Sequence, residues 1–301
     1  MSARYRRLLM PVLALTVVAF LAPAMVSSSG PSILPYVSAP SALAQVAAEY
    51  TCPTTSGRSY VSGYAFQYDR DNPVRPAYNH ADKNLALRSY SLVTGKRKGL
   101  VSYPLKSGVR PPQFATLFNP YRVPPIVNTY RVYNWNWAPS PDPGTRGVPL
   151  STWSVTAIGL KTTPGEVLRV PVSGYDIGSG MEVIVLFADA DSITLRYTRE
   201  DSSGSRGYTV HVDHICTDPN LLALYRRRDN PTGPRYRYVG RTSPRYSYPL
   251  PAMPAGKVFG RAAGTEVVVA ITDTGSFMDP RSCREWWLVK PNYSGTCPTY
   301  D

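Results

Sequence analysis

The stretch GTEVVVAITDTG, residues 264–275, joins a run of apolar residues to a short polar turn. Residues 267–271 are all Val, Ala or Ile, and β-branched residues favour strands. The Thr, Asp and Gly residues that follow are typical of a tight turn. The stretch therefore predicts a core strand that ends in a hairpin turn.

Four similar runs precede this strand in the second half of the chain. Each is bounded by Gly, Ser, Asp or Pro, which is typical of strands joined by turns. They are EVLRVPV (166–172), MEVIVLFA (181–188), SITLRYTRE (192–200) and GYTVHVDHI (207–215). No long stretch has apolar residues at helical spacing. We predict a mainly β fold, an antiparallel sheet or sandwich-like secreted domain with little helix outside the N-terminal segment.

The composition supports a folded, turn-rich protein. Of the 301 residues 43% are hydrophobic and 18% are charged, which permits a large core and excludes a disordered chain. The 30 Pro and 22 Tyr residues favour strands with long Pro/Tyr-rich loops. We divide the chain into residues 1–44, 45–163 and 164–301, the last containing an Arg/Tyr-rich loop at 226–251.

The N-terminus has the pattern of an export signal. Three arginines among the first seven residues precede an apolar stretch, residues 8–26. Small residues allow cleavage after Ala24 or Ala44, of which we favour Ala44. Because residues 8–26 are nearly long enough to span a bilayer, an uncleaved membrane anchor is the alternative. Each alternative predicts a secreted or extracytoplasmic domain.

The chain has four cysteines, and an even number in an oxidising compartment favours two disulfides. Four cysteines allow three connectivities. In one of them Cys283–Cys297 staples the C-terminal tail and Cys52–Cys216 pins the mature N-terminus. The four lack the paired spacing of structural zinc sites.

A formal net charge of +13 predicts attraction to anionic partners. For a secreted protein we expect an anionic glycan or cell-wall polymer and no nucleic acid. Basic residues interleaved with aromatic ones suit such polymers, so Tyr236, Arg237 and Tyr238 are candidate contacts. The alternative is an ordinary solvated loop.

The segment YNWNWAP, residues 133–139, holds a second candidate site. Trp135 and Trp137 alternate, so on a strand both rings lie on one face. If exposed, the rings form a platform for sugar stacking. If buried, they belong to the core, which is the commoner place for Trp.

The three histidines are His80, His211 and His214. On a strand, His211 and Asp213 lie on one face and His214 on the other, so the strand alone does not gather a metal site. We therefore expect no cofactor. The alternative is zinc bound by His80, Asp82 and either His211 or His214.

Several motifs occur in the order found in one enzyme family. NHADKNLAL (79–87) resembles a His-x-x-x-Asp element, with His80 matching and Asn84 in place of Asp. GYTVHVDHI resembles a strand that ends in Ile-Asp-His, and AGKVFGRAAG (255–264) matches a Gly-x-x-x-Gly turn. LLALYRR (221–227) resembles a Tyr-x-His element, with Arg227 at the histidine position. EVVVAITDTGSFMDPRS (266–282) resembles a His-x-His strand with an Asp-Pro exit.

Together these motifs resemble the lysostaphin-type (LytM-like) zinc endopeptidases, which have a twisted antiparallel β fold and cut peptidoglycan cross-bridges. Glu266 and Val268 stand at the family's His-x-His positions, and only His80 is retained among the three zinc ligands. The resemblance implies a domain that lacks the zinc and the catalytic histidines. We expect an exported, non-catalytic envelope protein that binds glycan or has a structural role. The alternatives are a peptidoglycan endopeptidase with atypical zinc ligands and a self-associating subunit of an extracellular assembly.

Overall fold

The computed structural model of the protein describes residues 50–66, 77–103, 111–138, 144–174, 177–197, 207–229, 245–289 and 297. The strands are β1 (Val61–Phe66), β2 (Tyr90–Leu92), β3 (Ile126–Asn136), β4 (Thr145–Pro149), β5 (Ala157–Lys161), β6 (Val167–Arg169), β7 (Val183–Ala188), β8 (Ser192–Arg196), β9 (Tyr208–Asp213), β10 (Ile215–Thr217), β11 (Arg245–Met253), β12 (Val258–Ala262), β13 (Glu266–Asp273) and β14 (Ser276–Phe277). The α-helices are α1 (Leu85–Arg88), α2 (Pro219–Arg228) and α3 (Cys283–Trp286), and short 3-10 turns cover Ala77–Asn79 and Phe114–Leu117.

Two antiparallel sheets contain these strands. The large sheet has the order β1-β11-β7-β8-β9-β13-β5-β3-β2, with β14 paired to β13 and β4 paired to β3. The small sheet has the order β10-β12-β6. The prediction of a mainly β, antiparallel fold with little helix is confirmed.

The predicted core strand is β13, near the middle of the large sheet. All five residues from Val267 to Ile271 are fully buried. The turn after it uses two residues in the left-handed region, Thr274 with φ 54° and Gly275 with φ 84°, and leads into β14. The predicted strand and hairpin turn are both confirmed.

The large sheet has two different faces because side chains alternate along each strand. One, the aliphatic face, presents Val267, Val269 and Ile271 to a core that also includes Leu168 and Phe259 of the small sheet. The other, the polar face, contains Val268 and Ala270 of β13. It also contains the β9 residues that pair with them, Asp213 and His211. A smaller apolar cluster there contains Leu85, Val132, Ala157, Val268, Ala270 and Phe277.

Helix α2 lies in a segment for which we predicted no helix. The Asp218 side chain caps it by accepting a hydrogen bond from the Asn220 backbone N–H at 3.0 Å, and Pro219 begins the first turn. Residues 226–228 belong to α2 and residues 245–251 belong to β11, so both ends of the predicted 226–251 loop are regular structure.

The cysteines pair as Cys52–Cys216 and Cys283–Cys297, with Cα–Cα distances of 5.3 and 5.8 Å. This is the connectivity in which the two termini are stapled to the core. Two disulfides indicate an oxidising environment. Within the described ranges no helix is long and apolar enough to cross a membrane. Residues 8–26, Ala24 and Ala44 lie outside those ranges.

Residues 48–301 form one compact unit. The boundary predicted between residues 163 and 164 falls between β5 and β6. Strand β5, from before that boundary, pairs along its whole length with β13, from after it. The two predicted regions therefore share one sheet.

The Asp-Pro segment after β14 is structural. The Asp279 carboxylate pairs with the Arg281 guanidinium at 2.7 Å, and both side chains are almost fully buried. Arg281 also donates to the Arg97 carbonyl oxygen at 2.9 Å, and the Trp286 indole N–H donates to the Asp279 carbonyl oxygen. These bonds satisfy buried polar groups and fix the segment that leads to α3.

Candidate functional site

A fixed carboxylate lies on the polar face of the large sheet. The Tyr130 hydroxyl donates to Glu266 Oε1 at 2.7 Å, and Asn128 Nδ2 donates to Oε2 at 3.0 Å. The carboxylate lies across Gly159, where an added Cβ would be 1.6 Å from Oε1. The absence of a side chain at Gly159 therefore makes room for Glu266. Tyr130, Asn128 and Glu266 are all partly exposed.

Tyr90, on the neighbouring strand β2, extends this group. Its ring packs edge-on against the Tyr130 ring, with centroids 4.9 Å apart. Burial, followed by the nearby Asp213 carboxyl, raises the pKa of Tyr90 well above its usual value. The hydroxyl therefore stays protonated at neutral pH and lies 3.3 Å from His214 Nε2. We call Tyr90, Asn128, Tyr130, His214 and Glu266 the tyrosine patch.

The prediction that His214 faces away from Asp213 is wrong. His214 has a φ of 63°, in the left-handed region, and stands between the end of β9 and the start of β10. This conformation interrupts the alternation of the strand. The exposed His214 side chain therefore reaches Tyr90 on the same face as Asp213.

Asp213 lies under the patch and is only 7% exposed. Its Oδ1 has no hydrogen-bond partner among the described residues. Burial, followed by repulsion from Asp191, raises the pKa of Asp213 to about 7. A buried carboxyl without a cationic partner favours the neutral form, so much of Asp213 is protonated at neutral pH.

His211 is fully buried two residues earlier on the same face. Its Nδ1 is 3.1 Å from Thr194 Oγ1, and its ring stacks on Phe277. Burial, followed by the nearby Arg88 charge, lowers the pKa of His211 to about 3. This histidine is therefore a neutral core residue and does not face solvent.

The alternative zinc ligands are not brought together. Among the described residues no group of three His, Cys, Asp or Glu side chains is close enough to hold a metal ion. His80 is buried and accepts a hydrogen bond on Nδ1 from the Asp82 backbone N–H, while the Asp82 carboxylate pairs with Arg88. Asn84 caps α1 by accepting from the Leu87 N–H, so this residue has a structural role.

Trp135 and Trp137 lie on one face as predicted, with ring centroids 6.3 Å apart. Trp135 is buried, whereas Trp137 is half-buried and packs its ring against His80 at 5.1 Å. Any stacking platform here would therefore rest on Trp137 alone. Arg227 is exposed near the end of α2. Tyr236, Arg237 and Tyr238 lie outside the described residues.

Sequence reasoning did not select Tyr90, Asn128 or Tyr130. Alternation in the segment PIVNTYRVYNWNW places Asn128, Tyr130 and Val132 on one face of β3, so part of the signal was present. Their partner Glu266 is 136 residues from Tyr130 in the chain. A pattern within one segment does not show such a pairing.

No family model, curated protein or solved structure matches the chain. The resemblance to the lysostaphin-type endopeptidases stays a prediction. The site is therefore interpreted from its own residues.

Proposed function

We propose that this is an exported, non-catalytic protein that binds a cell-wall glycan, and that the tyrosine patch contacts a sugar unit. The observation that carries the proposal is the Glu266 carboxylate, fixed by Tyr130 and Asn128 beside two partly exposed tyrosine rings. This combination of an aromatic surface and fixed polar groups matches the two surfaces of a sugar.

A sugar ring has an apolar C–H face and an edge of hydroxyl groups. Aromatic rings bind the first by packing, and carboxylate and amide groups bind the second by hydrogen bonds. Because Tyr130 and Asn128 already orient Glu266, binding requires little further ordering of the carboxylate. His214 and the Tyr90 hydroxyl add polar groups at the edge of the same surface.

Two further observations support this function. The Cys52–Cys216 and Cys283–Cys297 disulfides indicate an environment outside the cytoplasm, where wall glycans occur. The net charge of +13 attracts polymers with anionic groups. Because the tyrosine patch contains a carboxylate, we assign it an uncharged sugar unit of such a polymer, and we assign attraction of the anionic groups to the basic remainder of the protein.

Binding of the mature protein to purified wall polysaccharide tests the proposal. We expect Glu266→Gln and Tyr90→Ala each to weaken binding at least tenfold, as measured by isothermal titration calorimetry. Tyr121→Ala is the matched control for Tyr90→Ala, because Tyr121 is exposed and lies outside the patch. Unchanged affinity in both patch variants would refute the assignment of the site. Release of soluble sugar or peptide fragments by the wild-type protein would refute the non-catalytic role.

A further inference from the structure

A cavity of about 190 Å³ lies beside the Cys52–Cys216 disulfide. We call it the disulfide pocket. One wall is the segment of residues 53–58, which follows Cys52, and the other is formed by β10, β12 and the start of α2. Its polar lining residues include Thr55, Ser56, Arg58, Thr217, Asp218 and Arg261.

The wall that contains residues 53–58 is held firmly. Asn220 Nδ2 donates to the carbonyl oxygens of Ser56 and Arg58 at 2.7 and 2.8 Å. The Tyr60 hydroxyl donates to the Val258 carbonyl oxygen at 3.0 Å, and the disulfide fixes the other end at Cys52. A pocket with walls fixed on both sides is preformed, so a ligand does not have to order it.

Asp218 is the acidic group of the pocket, and its carboxylate already accepts three hydrogen bonds. It accepts hydrogen bonds from Ser56 Oγ at 2.7 Å, from the Asn220 N–H at 3.0 Å and from Arg58 Nη1 at 3.3 Å. The helix N-terminus that it caps also offsets its charge. Asp218 therefore orients Arg58 and does not itself require a cation.

Two arginines, Arg58 and Arg261, line the pocket and define its chemistry. Arg58 uses Nη1 to contact Asp218 and keeps about a third of its side chain exposed. Arg261 uses Nη1 to donate to the Gly165 carbonyl oxygen at 2.8 Å, which fixes its direction. Each guanidinium has five N–H donors and no acceptor, and pairs of such groups favour carboxylate and phosphate oxygens.

We propose that the disulfide pocket binds a carboxylate or phosphate group through Arg58 and Arg261. The inference is independent of the tyrosine patch, because the two sites share no residue. The anionic group is either a small free anion or a substituent of a larger polymer. The volume of the disulfide pocket accommodates the anionic group and the first atoms of the molecule that carries it.

Calorimetric titration with sodium phosphate and with sodium acetate, at constant ionic strength, tests this site. We expect Arg261→Gln to weaken binding of both anions at least tenfold and Arg261→Lys to weaken it less, because Lys keeps the charge but loses the planar fork. Arg226→Gln is the control, because Arg226 is an exposed arginine of α2 whose ion pair with Asp189 lies outside the pocket. Arg261 donates to the Gly165 carbonyl oxygen, whereas the cap of α2 is the bond from the Asn220 N–H to Asp218, so Arg261 variants leave that cap in place.

The outcomes separate the two proposals. If phosphate and acetate each bind Arg58→Gln and Arg261→Gln as tightly as they bind the wild-type protein, the anion pocket is overturned. It is also overturned if a cation such as spermidine binds the wild-type protein more tightly than phosphate does. We expect Glu266→Gln to leave phosphate binding unchanged, because Glu266 lies outside the disulfide pocket. The phosphate titration therefore tests the pocket even if the tyrosine patch does not bind sugar. Titration with glucuronate distinguishes the source. Affinity above that of acetate assigns the pocket to an acidic polymer, and equal affinity assigns it to a small free anion.

Discussion

The two faces of the large sheet are built from the same strands but have opposite chemistry. On β13, Val267, Val269 and Ile271 enter the main core, whereas Glu266 on the other face reaches the tyrosine patch. Alternation of side chains lets one strand serve both faces. Burial of side chains on the aliphatic face stabilises the fold independently of pH. The polar face contains titratable groups whose pKa values differ between the folded and the unfolded chain.

The largest expected effect is on the aliphatic face. Ile271→Ala removes a fully buried side chain and leaves a cavity, which costs about 4 kcal/mol of the free energy of unfolding. Urea denaturation at several pH values measures it, and we expect the loss to be the same at each pH. Glu266→Gln, at a partly exposed position on the polar face of the same strand, is the comparison variant. It should lower the free energy of unfolding by about 1 kcal/mol or less. Similar losses in the two variants would contradict the difference between the faces.

Several strands were predictable from local patterns, but the contacts between them were not. The run at residues 267–271 and the bounded runs before it are local patterns, and each became a strand. Glu266 meets Tyr130 through pairing of β13 with β5 and of β5 with β3. Nothing in a single sequence gives that order of strands.

Two local features were missed for different reasons. Helix α2 has ten residues, too few for a clear helical periodicity, although Asp218-Pro219 is a recognisable start signal. The left-handed conformation of His214 had no such signal, because a non-glycine residue rarely adopts it. That one residue changed which side chains share the polar face.

The second prediction concerns His211, on the polar face. Its pKa falls from about 6.5 in the unfolded chain to about 3 in the fold, so below pH 6.5 the unfolded state binds more protons. The contribution of His211 to the free energy of unfolding therefore falls as the pH drops from 6.5 towards 3, by up to about 3 kcal/mol between pH 7 and 4.5. His211→Gln should remove this slope. Denaturation of both proteins across this range measures it, and an unchanged slope in the variant would show that His211 titrates normally.

The third effect has the opposite sign and comes from Asp213, on the same face. Its pKa rises from 3.8 in the unfolded chain to about 7 in the fold, so between these values the folded state binds more protons. The contribution of Asp213 is complete below pH 3.8 and is lost as the pH rises through 7, by about 2 kcal/mol between pH 5.5 and 7. Asp213→Asn removes the titration and should gain stability relative to wild type over that interval. If the difference between the two proteins does not change with pH, Asp213 is ionised in the fold. The polar face would then lack one of the two opposing titrations that distinguish it from the aliphatic face.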